Sequence, residues 1–176
     1  DFRNHAILHL ILDVIKNHDS SKFEIFGFYH GPREDEYTSE IKKYFYKFIN
    51  VSNFTEQKIA NISRNENIDI AIDLCGYTRY AIHKTFYYQA APIQINFLGY
   101  PGTMGNKLYD YIIADKNIIP KKEFENFSEK IIHLPNCYQP NQYKVKISKK
   151  HFSKRDFNLP EGYTILGCLS SNYKIN

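Results

Sequence analysis

Two short segments of this sequence gather the groups that ligand chemistry needs. Leu98-Gly99-Tyr100-Pro101-Gly102-Thr103-Met104-Gly105 packs three glycines and a proline into eight residues, directly after a branched apolar run. Glycines let a backbone come close to a ligand and leave N–H groups facing outward, so this segment suits a phosphate or a sugar. No Gly-Lys-Ser/Thr follows and G-x-G-x-x-G is not matched, which sets aside the P-loop and dinucleotide readings; an ordinary tight turn is the plain alternative. Cys75-Gly76-Tyr77-Thr78-Arg79 again follows an apolar run and offers a glycine, a hydroxyl and a guanidinium, with a satisfied helix cap as its alternative.

Histidines supply the third candidate. His5 stands at the first turn of a helical pattern, where an imidazole can act as a base or donate a hydrogen bond to a ligand lying above a sheet. His9 lies one turn further on, a spacing that can hold a metal, but no H-E-x-x-H arrangement surrounds the pair and no metal is expected. Cys75, Cys137 and Cys168 are odd in number and far apart, so neither a disulfide framework nor a thiolate zinc site is expected; buried thiols are.

The elements that must position these groups follow from periodicity. Ala6, Leu8, Leu10, Ile11, Val14 and Ile15 recur at helical spacing after Asn4, a candidate cap, and predict a helix over about 5–17. Aromatic and branched residues predict strands at 23–29, 48–51, 68–74, 93–98, 111–115, 130–134 and 163–168. Helices are expected near 38–47, 55–66, 80–89 and 149–157, with a short one before residue 130. Strands alternating with helices at these intervals describe βαβ units, hence an α/β, Rossmann-like, mostly parallel sheet covered by helices on both faces. In such a sheet ligands sit beyond the carboxyl ends of the strands, where both glycine-bearing segments and His5 belong.

With 176 residues, 43% of them apolar, the chain can bury one sizeable core or one domain and part of another. The pattern lapses between 135 and 150, so the expected organisation is a lobe at 1–140, a linker at 141–150 and the start of a second lobe at 151–176. Of the net charge of +4, residues 141–176 carry +5 (seven Lys and Arg against Asp156 and Glu161), which leaves −1 for the body. Basic residues so placed and interrupted by apolar ones read as a solvated linker and helix face, and no nucleic-acid partner is expected. No apolar run approaches the roughly 18 residues of a membrane helix and no secretory leader is visible, so no membrane partner and a cytoplasmic location are expected. The chain opens on Asp1-Phe2-Arg3 without Met or a strand ahead of the first helix, and is expected to be an excerpt whose first strand lies upstream.

Taken together, certain runs resemble a known family. They are Asp1-Phe2-Arg3-Asn4-His5, Asp73-Leu74-Cys75-Gly76-Tyr77-Thr78, the stretch from Ala91-Pro92-Ile93-Gln94 to Pro101-Gly102-Thr103-Met104-Gly105, Tyr109-Asp110-Tyr111-Ile112-Ile113-Ala114-Asp115, Ser128-Glu129-Lys130 with Leu134-Pro135, and Tyr173-Lys174-Ile175. In this order they resemble the O-linked N-acetylglucosamine transferases associated with TPR repeats, the SPINDLY-like protein glycosyltransferases.

That resemblance implies a GT-B architecture, with residues 1 to about 140 as the amino-terminal Rossmann-like lobe. It implies inverting transfer of N-acetylglucosamine from UDP-N-acetylglucosamine to Ser or Thr of proteins, without metal or other cofactor. His5 is similar to the family's active-site histidine, a base or an orienting group for the acceptor. Leu98, Gly99, Tyr100, Pro101, Gly102 and Thr103 correspond to the loop approaching sugar and acceptor, with Thr78 and Tyr173 as further binding positions. Lys174 resembles a lysine on the nucleotide diphosphate, placed to stabilise the charge on departing UDP. The implied partners are a nucleotide-sugar donor, a protein acceptor and the remainder of the same chain, namely a second lobe and upstream TPR repeats. Without the rest of the nucleotide pocket the excerpt alone is expected to be inactive. Another donor or acceptor on the same fold, such as GDP-fucose, and a non-catalytic binding lobe are the alternatives.

Overall fold

A computed structural model describes residues 1–141 and 147–168. The chain divides into two units, Asp1–Tyr143 and Lys144–Asn176.

In the first unit, helix α1 (Ala6–Lys16) buries Ile7, Leu8, Ile11 and Ile15 on one face. Its cap is His5, not Asn4: the His5 ring accepts the Ile7 N–H, while Asn4 spends its own N–H on Asp35. Strand β1 (Phe26–Tyr29) leads to helix α2 (Glu36–Ile41), which starts earlier than its apolar pattern suggests because Asp35 and Thr38 form a reciprocal capping box. A 3₁₀ turn over Lys42–Tyr44 closes α2, and strand β2 (Lys47–Asn50) follows. Helix α3 (Glu56–Asn65), capped by Thr55, leads to strand β3 (Ile70–Asp73).

The helix expected at 80–89 shrinks to one turn, α4 (Lys84–Tyr87), because Tyr80 and Gln89 both adopt the left-handed backbone conformation and so bracket it. Strands β4 (Ile93–Phe97), β5 (Tyr111–Ala114) and β6 (Lys130–His133) complete the unit, with a 3₁₀ stretch at Lys121–Asn126 between the last two.

Every ladder is parallel, as expected, but the strands form two sheets, β1-β2 and β3-β4-β5-β6. One core cluster spans both sheets: Ile7, Leu8, Ile11 and Ile15 of α1 pack with Phe2, Tyr29, Ile41, Phe97, Leu98 and Tyr138. Coverage is uneven, since Ile70 and Ile72 on β3 each remain 49% exposed.

The second unit departs furthest from the sequence pattern. The helix expected at 149–157 is a 3₁₀ turn at Lys154–Phe157, opened by a Ser153/Asp156 capping box and stopped by Asn158 in the left-handed region. Residues 163–168 form no strand and are exposed; a branched apolar run pairs only where another strand lies beside it, and this unit has none among its described residues. The thiols also differ from expectation: Cys75 is half-buried, whereas Cys137 and Cys168 are exposed. No described helix is long and apolar enough to cross a membrane.

Candidate functional site

Strands β3 and β4 run parallel with Asp73 opposite Asn96, and both residues are buried. Asp73 faces the loop that follows β3: one carboxylate oxygen accepts the N–H groups of Cys75 (2.8 Å) and Gly76 (3.0 Å), and the other accepts the Tyr109 hydroxyl at 2.7 Å. Burial, with the Asp73 carboxylate beside it, drives the Tyr109 phenol far above its ordinary pKa, so it stays a donor. Its ring is stacked on Phe86, with centroids 4.9 Å apart.

Asn96 does the complementary task after β4. Its amide donates to the carbonyls of Tyr100 (3.0 Å) and Gly102 (3.2 Å), fixing the 98–103 turn from beneath. Within that turn the amides of Tyr100, Gly102 and Thr103 form no hydrogen bond among the described residues. Backbone N–H groups left without a partner in a turn are available as hydrogen-bond donors.

The two loops interlock. A Cβ on Gly99 would lie 2.3 Å from the Leu74 carbonyl oxygen, and one on Gly76, which sits at φ +55°, would lie 2.6 Å from the Cβ of Tyr100. Both glycines are therefore required by the neighbouring loop, a reason different from the ligand approach that the glycine content suggested. Tyr77 ties the loops again by donating its hydroxyl to the Met104 carbonyl at 2.7 Å, and its ring meets Tyr100 edge-on.

From the other side the 98–105 segment is held by Glu129, just ahead of β6. Its carboxylate accepts the Thr103 hydroxyl at 2.8 Å and the Met104 N–H at 2.7 Å.

His5 reaches the same region through Asp1, whose carboxylate lies 3.6 Å from the His5 Nδ1 and accepts a contact from the Cys75 thiol at 3.8 Å. An ion pair with Asp1 would favour the charged imidazole, yet burial and then the Arg3 charge lower the His5 pKa, so the neutral ring prevails near neutral pH. Because Nδ1 accepts the Ile7 N–H, the proton of that neutral ring sits on Nε2. Burial pushes the Cys75 thiol up, which leaves it protonated and a poor nucleophile.

The sequence-predicted residues thus fall into three groups. His5, Thr78 and the 98–103 loop gather at the carboxyl ends of β3 and β4; Thr78, Tyr77 and Pro101 are exposed, Tyr100, Gly102 and Thr103 half-buried. Leu98 differs, with its side chain 3% exposed in the core and its backbone at φ +78°. Tyr173 and Lys174 lie outside the described residues. Among the described residues no three His, Cys, Asp or Glu side chains are grouped to hold a metal ion.

The model of glycosyl transferase family 41 matches residues 1–157. The chain belongs to this family. A probable UDP-N-acetylglucosamine–peptide N-acetylglucosaminyltransferase, SEC, of Arabidopsis thaliana is 35% identical over all of this chain and 19% of its own length. The UDP-N-acetylglucosamine–peptide N-acetylglucosaminyltransferase of Caenorhabditis elegans is 29% identical over 89% of this chain and 14% of its own length. Among solved structures, a point mutant of the O-GlcNAc transferase of Thermobaculum terrenum superposes with a TM-score of 0.77 at 25% identity, over 80% of this chain and 27% of that one. This family-41 chain therefore spans about a fifth or less of the length of these curated relatives.

Asp73, Asn96, Tyr109 and Glu129 organise the site, yet sequence reasoning assigned none of them a role. A faint signal existed in β4, where Gln94 and Asn96 interrupt an apolar run at period two and so place two amides on one buried face.

Proposed function

We propose that the protein carrying this chain transfers N-acetylglucosamine from UDP-N-acetylglucosamine to Ser or Thr hydroxyls of proteins. The observation that carries this reading is the convergence of His5 and two interlocked loops at the carboxyl ends of β3 and β4 in a family-41 chain. The acceptor oxygen bonds to the anomeric carbon on the face opposite UDP, UDP departs with the bonding pair, and the hydroxyl proton is released to water. The open amides of Tyr100, Gly102 and Thr103 face the sugar or acceptor, with Thr78 at the rim. Lys174 and Tyr173 serve the donor diphosphate, and no metal takes part.

The capping bond at Nδ1 supports a narrower role for His5. A neutral ring that carries its proton on Nε2 donates a hydrogen bond to a bound group and cannot take a proton there. His5 then orients the acceptor or the sugar.

The test uses the full-length protein with UDP-N-acetylglucosamine, GDP-fucose and acceptor peptides. Transfer from the UDP donor is expected, falling about a hundredfold or more in His5→Ala and Lys174→Ala. Preferential binding or use of the GDP donor defeats the donor assignment, and wild-type rates in both variants defeat the residue assignment. A limb of the wild-type pH–rate profile that disappears in His5→Ala would make His5 the base instead.

A further inference from the structure

We propose that Glu129 is a positioning residue for this transfer, holding the Thr103–Gly105 end of the loop against β6 so that the amides upstream of it stay aimed at the ligand. This rests on the function proposed above.

Glu129 is 4% exposed and no cation pairs with it among the described residues. A carboxylate buried without a counter-ion is a costly way to fill a position, and apolar packing alone would be cheaper. Its two oxygens are instead matched to two donors of one loop, the Met104 N–H and the Thr103 hydroxyl. Thr103 Oγ1 in turn accepts the N–H groups of Gly105 (3.0 Å) and Ser128 (3.3 Å), so its own proton has to go to Glu129. Ser128 spends its hydroxyl proton on the Asn106 carbonyl at 2.8 Å. The ring of bonds closes between residues 103–106 and 128–129, and strand β6 begins at the next residue, Lys130.

This arrangement specifies an acceptor at both ends of the side chain. In Glu129→Gln the amide NH₂ would face either the Met104 N–H, donor against donor, or a Thr103 oxygen that already accepts twice. The glutamine therefore cannot reproduce the clamp although it fits the space. Asn96 secures the front of the same loop at the Tyr100 and Gly102 carbonyls. Glu129 secures the back, and the Gly102 and Thr103 amides lie between the two anchors.

The experiment compares full-length wild type, Glu129→Gln, Thr103→Val, Thr103→Ser and the Glu129→Gln/Thr103→Val double variant. Hydrogen exchange at the Met104 and Gly105 amides is expected to accelerate about tenfold or more in Glu129→Gln and Thr103→Val, with Ile112–Ala114 in β5 unchanged. Per folded molecule, kcat is expected to fall about ten- to hundredfold in both while acceptor KM moves little, Thr103→Ser restores it, and the double variant is no worse than either single one. Unchanged exchange in Glu129→Gln overturns the clamp. Faster exchange with unchanged kcat overturns the positioning role, as does a loss of kcat that only tracks the folded fraction. A wild-type protein silent with every nucleotide sugar defeats the proposed function instead, and the exchange measurement, which needs no donor, then decides the clamp alone.

Discussion

The loops after β3 and β4 start from opposite residues on neighbouring strands and are gripped in opposite senses. Asp73, an acceptor, takes the amides of Cys75 and Gly76, whereas Asn96, through its donor end, takes the carbonyls of Tyr100 and Gly102. The first loop has spent its two leading N–H groups on its own strand. The second has spent the carbonyls of Tyr100 and Gly102, and the amides of those two residues and of Thr103 stay unbonded among the described residues. One choice between a carboxylate and an amide, at paired positions, thus decides whether a loop is gripped by its N–H groups or by its carbonyls.

Removing the acceptor is expected to cost most. Asp73→Ala strands two amides and a buried phenol, and with about 1–3 kcal/mol per unsatisfied buried group the loss should reach about 3–5 kcal/mol in urea denaturation of the chain. An effect under about 1 kcal/mol would mean that water replaces the carboxylate and that Asp73 grips nothing.

Gly99→Ala comes next, at about 1–3 kcal/mol, because the added methyl meets backbone at Leu74 and not a side chain that can turn aside. Gly105→Ala provides the contrast: nothing lies within 4 Å of its Cβ, and only its φ of +65° resists, at about 1 kcal/mol. Equal losses at the two glycines would show that backbone conformation, not the approach of the loops, sets the requirement.

Asn96→Ala is expected to cost less than Asp73→Ala, about 1–2 kcal/mol, since stranded carbonyls reach water more easily than a buried phenol does. Its larger consequence should be faster hydrogen exchange across residues 100–103, read by mass spectrometry, with the 75–79 loop unaffected.

The smallest effect concerns acid. The folded-state pKa of His5 lies below its ordinary value of 6.5, so on acidification the unfolded chain takes up this proton first. The contribution is complete above pH 6.5 and fades as pH falls through the lower, folded value, when protonation of Nδ1 ends the cap on Ile7. A melting temperature that declines below pH 6.5 in wild type but less in His5→Asn, which keeps a capping oxygen, is the expected result. Identical declines would remove His5 from the acid response.

How much of this was legible in the sequence depends on how far each feature reaches. Ile70–Asp73, Ile93–Phe97, Tyr111–Ala114 and Lys130–His133 advertise themselves through branched apolar residues, so the parallel strands and the place where their following loops gather could be read directly. Capping depends on local competition, and Asn4 yields the cap of α1 to His5 because its side-chain oxygen lies 3.1 Å from the His9 Nε2. The shortening of α4 follows from Tyr80, whose left-handed backbone no property of tyrosine announces. The run at 163–168 has the composition of a strand without a neighbour to pair with among the described residues. Asp73, Asn96 and Glu129 stayed silent for a related reason. Their roles depend on strand register and on partners up to 36 positions distant, and a polar residue near a strand end reads locally as one that simply faces water.

The contact between Gly99 and the Leu74 carbonyl has a thermodynamic consequence for whatever docks here. Two surface loops that each had to find their shape around a ligand would surrender about 1–2 kcal/mol of backbone entropy for every residue fixed. Wedged against one another, these loops lose that freedom when the chain folds, and the encounter complex inherits a surface already in its final form. A ligand that docks on a surface formed in this way meets less of the ordering cost that otherwise weakens binding.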